Sequence, residues 1–144
     1  MQPLDFAKAF GLGALVLALN IALLFALGAV YALVIDPGHP EAYYVPIYPR
    51  IGAWSAPIAG ISLLFLVAWL FGRRKPDRNP YAFALAVYAA YVAIDVGLGL
   101  AAGPASNLLV PPFFISLVGG AAASLAGAYL SRRGVALGAA SQGS

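Results

Sequence analysis

Four long apolar runs, roughly residues 9–35, 51–71, 81–102 and 113–130, carry almost all of this chain. A helix needs about 20 apolar residues to cross the ~30 Å hydrocarbon core of a bilayer. Lipid offers nothing to pair with exposed backbone N–H and C=O groups, so runs of this kind cross as helices. The pattern predicts an all-α integral membrane protein with four transmembrane helices in an antiparallel bundle. That bundle forms one domain over residues 1–133, followed by a flexible tail over 134–144. Composition agrees, because only 9% of residues are charged where a soluble domain carries about 25%. The first run is longer than the about 7–15 apolar residues of a secretory signal, and Asp5 weakens its basic flank. It is therefore expected to remain as a span.

Cations set the orientation. Lys and Arg in short loops mark the cytoplasmic side. Arg73, Arg74, Lys75 and Arg78 lie between the second and third runs, and Arg132 and Arg133 close the fourth. The other two connections hold only Arg50. Both termini and the 73–79 loop are thus expected in the cytoplasm, and the Ala/Gly/Leu/Arg-rich composition suggests a bacterial inner membrane. Trp54 and Trp69 are fifteen positions apart, about 22 Å of helix, and read as anchors at the two headgroup belts.

Spans associate by close approach of small side chains, since lipid tails are as apolar as leucine. The second run offers Gly52, Ala56 and Gly60; the fourth offers Ser116, Gly120, Ser124 and Ala128 beside Gly119, Ala123 and Gly127. The first has a row of its own in Ala14, Ala18, Ala22 and Ala26. Short loops predict that sequential spans are neighbours. Asn79-Pro80 opens the third helix with a cap and a first-turn proline. Asp36-Pro37-Gly38 and Gly103-Pro104 are stop signals, and Pro57 predicts a bend or a late start in the second span.

Chemistry at membrane depth centres on Asp95. On a helical wheel Tyr88, Tyr91 and Asp95 share one face. A carboxylate near a helix centre costs about 2.5–3.5 kcal/mol to insert, so it turns toward the bundle or a wet cavity. Asp95 is then either a proton, cation or polar-ligand site or a tether bonded to a neighbouring Tyr, Ser or Asn. Asn20, mid-span on the face of Gly13 and Leu17, reads as a structural hydrogen-bonding group. Ser55, Ser62, Ser116 and Ser124 are expected to return their hydroxyls to the preceding turn. The first outer loop holds Asp36, His39, Glu41, Tyr43, Tyr44 and Tyr48. Those ligand types have no fixed metal-binding spacing, so the loop reads as a proline-stiffened cap and no metal is assigned.

Exclusions narrow the function. Without cysteine, thiol catalysis and cysteine-held metal centres are ruled out. The one histidine lies in a loop, and Rossmann, Walker and HExxH patterns are absent. No catalytic residue and no cofactor are expected. The cations flank the spans, so the expected partners are the lipid bilayer and further membrane chains, in a homo-oligomer or larger complex, and not nucleic acid. The favoured reading is a non-enzymatic subunit, scaffold or lipid- or partner-binding bundle. The alternative is a proton-coupled transporter or channel component using Asp95.

Overall fold

The computed structural model describes residues 2–75, 78–103 and 110–141, with side chains as far as Arg133. Among these residues there are helices and no strands. Helix α1 covers Pro3–Val30 and continues through one π-helical stretch, Tyr31–Ile35; a short α2 covers Glu41–Tyr44. Then come α3 (Tyr48–Arg73), α4 (Pro80–Ala102) and α5 (Pro111–Ser141). Four of them are long and apolar enough to cross a membrane: Pro3–Ile35, Tyr48–Arg73, Pro80–Ala102 and Pro111–Arg133. Their outer surfaces suit lipid. Phe25 is 73% exposed, Leu33 76% and Val118 73%, on a chain whose interior is made largely of Ala, Gly and Val.

The helix ends have local causes. Asn79 Oδ1 accepts from the backbone N–H groups of Tyr81 (3.0 Å) and Ala82 (3.3 Å), with Pro80 at the first helical position. At the amino end the Gln2 N–H donates to the Asp5 carboxylate at 3.0 Å, and α1 begins six residues before the apolar run. Pro57 does not delay α3, which starts at Tyr48 and runs through it. The helix also continues past Gly134 to Ser141, where the alanines of this segment favour helix. Pro104 and residues 142–144 lie outside the described residues.

Sequential spans touch, but the most extensive contacts join alternate ones, α3 with α5 and α1 with α4. Glycine explains why. A Cβ on Gly119 would stand 2.5 Å from Ile61 Cδ1, and one on Gly127 would stand 2.5 Å from the Phe65 carbonyl oxygen. A Cβ on Gly72 would run into the Ser131 side chain. Along α3 and α5 the contacting residue numbers rise together. On α1, Gly13 brings the α4 backbone close: its Cβ would lie 2.8 Å from Tyr91 N and 2.9 Å from Val87 O. Between these pairs sits a core of Ala9, Val16, Leu17, Leu64, Phe83, Val87 and Tyr91.

One packing expectation is corrected. Ala18, Ala22 and Ala26 of the first span are exposed, and Ala14 is only half-buried. The inward face is instead Ala9, Gly13, Val16, Leu17 and Asn20. The polar residue decides the rotation. An unpaired amide in hydrocarbon costs several kcal/mol (roughly 2–7), whereas an outward alanine loses only some packing.

Candidate functional site

Asn20 enters the bundle with its amide between two helices. Its Nδ2 donates to the Ala56 carbonyl (3.1 Å) and to the Tyr91 hydroxyl (3.2 Å). A carbonyl can only accept, so the contact with Ala56 fixes which end of the amide is nitrogen. Both N–H groups are thereby used. Oδ1 is buried and has no partner among the described residues.

Close by is a cavity of about 160 Å³ at the amino-terminal ends of α3 and α5. Its polar lining comes from Asn20, Tyr91, Asp95 and Ser116, and much of its apolar lining from Ala53, Pro57, Pro112 and Phe113. Liquid water occupies about 30 Å³ per molecule, so the space is worth roughly five waters or a small organic ion. Asp95 is half-buried here. No described side chain hydrogen-bonds to it, so of the two roles the sequence leaves open, the tether is not formed among the described residues. Gly52, Ala56 and Gly60 have a specific place in this arrangement. Gly52 meets Leu24, the Ala56 carbonyl takes the Asn20 amide, and a Cβ on Gly60 would lie 2.9 Å from the Tyr91 hydroxyl.

Tyr88 does not join the cavity. Its hydroxyl donates to the Leu117 carbonyl at 2.8 Å and its ring packs on Gly120, so it ties α4 to α5. Ser124 and Ala128 are buried on the same α5 ridge as Gly120, with Ala123 half-buried beside them. The serines divide. Ser62 does return its hydroxyl to Ile58 (2.8 Å), but Ser55 and Ser124 Oγ are buried without partners among the described residues.

The opposite end of the bundle is filled. Leu64 is 2% exposed, Phe83 1%, Val87 2% and Val16 0%, and none of them lines the cavity. Arg78 closes that end. Singled out in the sequence as a topology cation, it folds inward: its guanidinium donates to the Phe71 carbonyl at 2.8 Å and lies 3.5 Å from Asp5 Oδ1 and 3.3 Å from the centre of the Phe83 ring. Lys75 stands 4.0 Å from the same Asp5 oxygen. Sequence reasoning missed Asp5 and Arg78 as a pair, because 73 positions separate them. Four further cations of this end stack on rings, Arg73 on Trp69 and Arg74 on Phe71, Arg132 on Tyr81 and Arg133 on Tyr129. Trp54, near the other end of α3, is 63% exposed.

The segment between α1 and α3 is knitted to itself. Tyr44 is buried, and its hydroxyl donates to the Asp36 carbonyl at 2.7 Å. The Asp36 carboxylate accepts from Tyr43 (2.8 Å) and meets His39 Nε2 (3.2 Å), while the His39 and Tyr43 rings stack at 4.1 Å. Accepting that hydrogen bond, the Asp36 carboxylate raises the Tyr43 phenol above its ordinary pKa. Both Asp36 oxygens are occupied. Among the described residues no group of three potential metal ligands comes together.

Compared with known proteins, the chain matches no protein-family model, no curated protein and no solved structure. The functional reading therefore rests on the geometry alone.

Proposed function

We propose that this chain is a non-enzymatic four-span carrier or channel component of a bacterial inner membrane, passing a small cation or a proton by way of Asp95. One observation carries the reading: Asp95 lines a cavity together with Asn20, whose Oδ1 has no partner among the described residues. A carboxylate kept only for architecture is expected to meet a donor on a neighbouring helix. For this reason the geometry favours the transporter alternative over the scaffold reading.

The bundle is read as antiparallel, with both termini cytoplasmic. Contact registers support the first part. Residue numbers rise together between α3 and α5, and they run oppositely between α1 and α3, where Asn20 meets Ala56 and Gly28 meets Tyr48. The cation distribution supports the second. The cavity then belongs to the outer half of the membrane and the Arg78–Asp5 closure to the inner face. Cysteines placed singly at Gln2 and Glu41, both exposed, test this in a chain that has none of its own. An impermeant thiol reagent added outside intact cells should label position 41 and spare position 2; the reverse pattern refutes the orientation.

Transport is tested in vesicles. Reconstituted wild type should carry protons, labelled sodium or labelled guanidinium above the protein-free background, and Asp95→Asn should not. Equal flux through both proteins overturns the assignment of Asp95.

A further inference from the structure

We infer that the cavity at Asp95 takes a small organic ammonium ion bearing N–H groups, in preference to a metal cation or a quaternary ammonium. This inference rests on the cation reading above and names the ligand class. Its ground is a count of donors and acceptors around the space.

The acceptors are in excess. Asn20 Nδ2 is fully committed to Ala56 O and Tyr91 Oη, which leaves Oδ1 buried on a residue that is 6% exposed. Asp95 supplies a carboxylate with no described side-chain donor. Pro57 has no N–H, so the carbonyl four residues earlier, that of Ala53, loses its usual helical partner; both residues line the cavity. Tyr91 and Ser116 bring the only hydroxyl protons among the lining residues. A guest that donates several hydrogen bonds and carries a positive charge matches this set. An ammonium group does both, and hydrogen bonds to charged partners are the stronger kind.

The walls argue against a bare metal. Calcium takes six to eight oxygens and magnesium close to an ideal octahedron. Here Asp95 is the one carboxylate, the other side-chain oxygens are the neutral ones of Asn20, Tyr91 and Ser116, and the rest of the lining is Gly, Ala, Pro and Phe. Those apolar groups suit a short hydrocarbon tail. Phe113 and Tyr91 add aromatic surface, which attracts cations. The volume of about 160 Å³ admits a head group with a few carbons.

The test compares cations on one preparation of the full chain in lipid nanodiscs, at constant ionic strength, by calorimetry. The probes are propylammonium, tetramethylammonium, sodium and calcium chlorides. Propylammonium should bind at least tenfold more tightly than tetramethylammonium, which has the charge but no N–H, and its binding should weaken at least tenfold in Asp95→Asn. The wild-type ratio decides, so no Asn20 variant has to fold; where Asn20→Ala does fold, the ratio should fall toward one. Equal or tighter binding of tetramethylammonium, or Asp95-dependent binding of sodium or calcium alone, overturns the ligand class and leaves the cation site standing. No Asp95-dependent binding of any probe, together with no Asp95-dependent proton uptake, overturns both.

Discussion

Gly127→Leu should lower the melting temperature of the solubilised protein far more than Gly97→Leu, although both place leucine on a membrane helix. At position 127 a Cβ would lie 2.5 Å from the Phe65 carbonyl oxygen, 2.9 Å from Ala68 Cβ and 3.0 Å from the Trp69 nitrogen. Two of those atoms are backbone of α3, which cannot step aside without shifting the whole helix. Overpacking typically costs about 1–3 kcal/mol, and the loss here is expected at or above the top of that range. Gly120 should fall lower in it, because its Cβ would meet only the movable ends of Leu64 and Tyr88, each at 3.1 Å. Gly97 has nothing within 4 Å of such a Cβ, so leucine there should change stability by less than about 0.5 kcal/mol. Thermal unfolding of the three variants in one detergent decides the matter. Equal losses at 127 and 97 mean that close approach of α3 and α5 does not hold the bundle together.

The four spans were legible because their signal is length and apolarity, which neighbours do not alter. The small-residue rows of α5 were legible for a related reason: glycine at four-residue spacing makes a flat face that a neighbouring helix can approach. The rotation of α1 was not. Its alanine row and its Gly13–Asn20 face are both reasonable interfaces when the helix is taken alone. The choice depends on partners 36 and 71 positions away, Ala56 and Tyr91. Arg78 shows the same limit. Its composition-level role as a topology cation says nothing of the acid, carbonyl and ring that the fold brings around it.

At the candidate site, Asp95, Tyr91 and Asn20 stood out as polar groups at membrane depth, and they come together at one cavity. Tyr88 was grouped with them on the helical wheel. A step of three residues, however, rotates about 60° short of a full turn, enough to turn Tyr88 to α5 while Tyr91 faces α1 and α3. Ser116 and Pro57 were noted for size and for backbone geometry. Their position on the cavity wall follows from how α5 and α3 meet, which no single-helix pattern contains.

Asp95→Asn should fold at least as well as wild type and yet bind the cation far more weakly. The amide keeps the side chain's shape and removes a charge whose insertion near a helix centre costs about 2.5–3.5 kcal/mol, so the melting temperature should hold or rise. The lost interaction is one between charged groups, worth about 1.5–3 kcal/mol. At 1.4 kcal/mol per factor of ten, binding should weaken by roughly tenfold to a hundredfold or more. A variant that unfolds would instead make Asp95 an architectural group. The most direct measurement reads the carboxyl itself: infrared difference spectra of wild type and Asp95→Asn in nanodiscs, recorded on adding propylammonium chloride at fixed pH and again across a pH titration. A carboxyl band that responds to the cation and to pH in wild type, and is missing in Asp95→Asn, is the predicted result. Identical spectra from the two proteins would contradict a cation or proton site at Asp95.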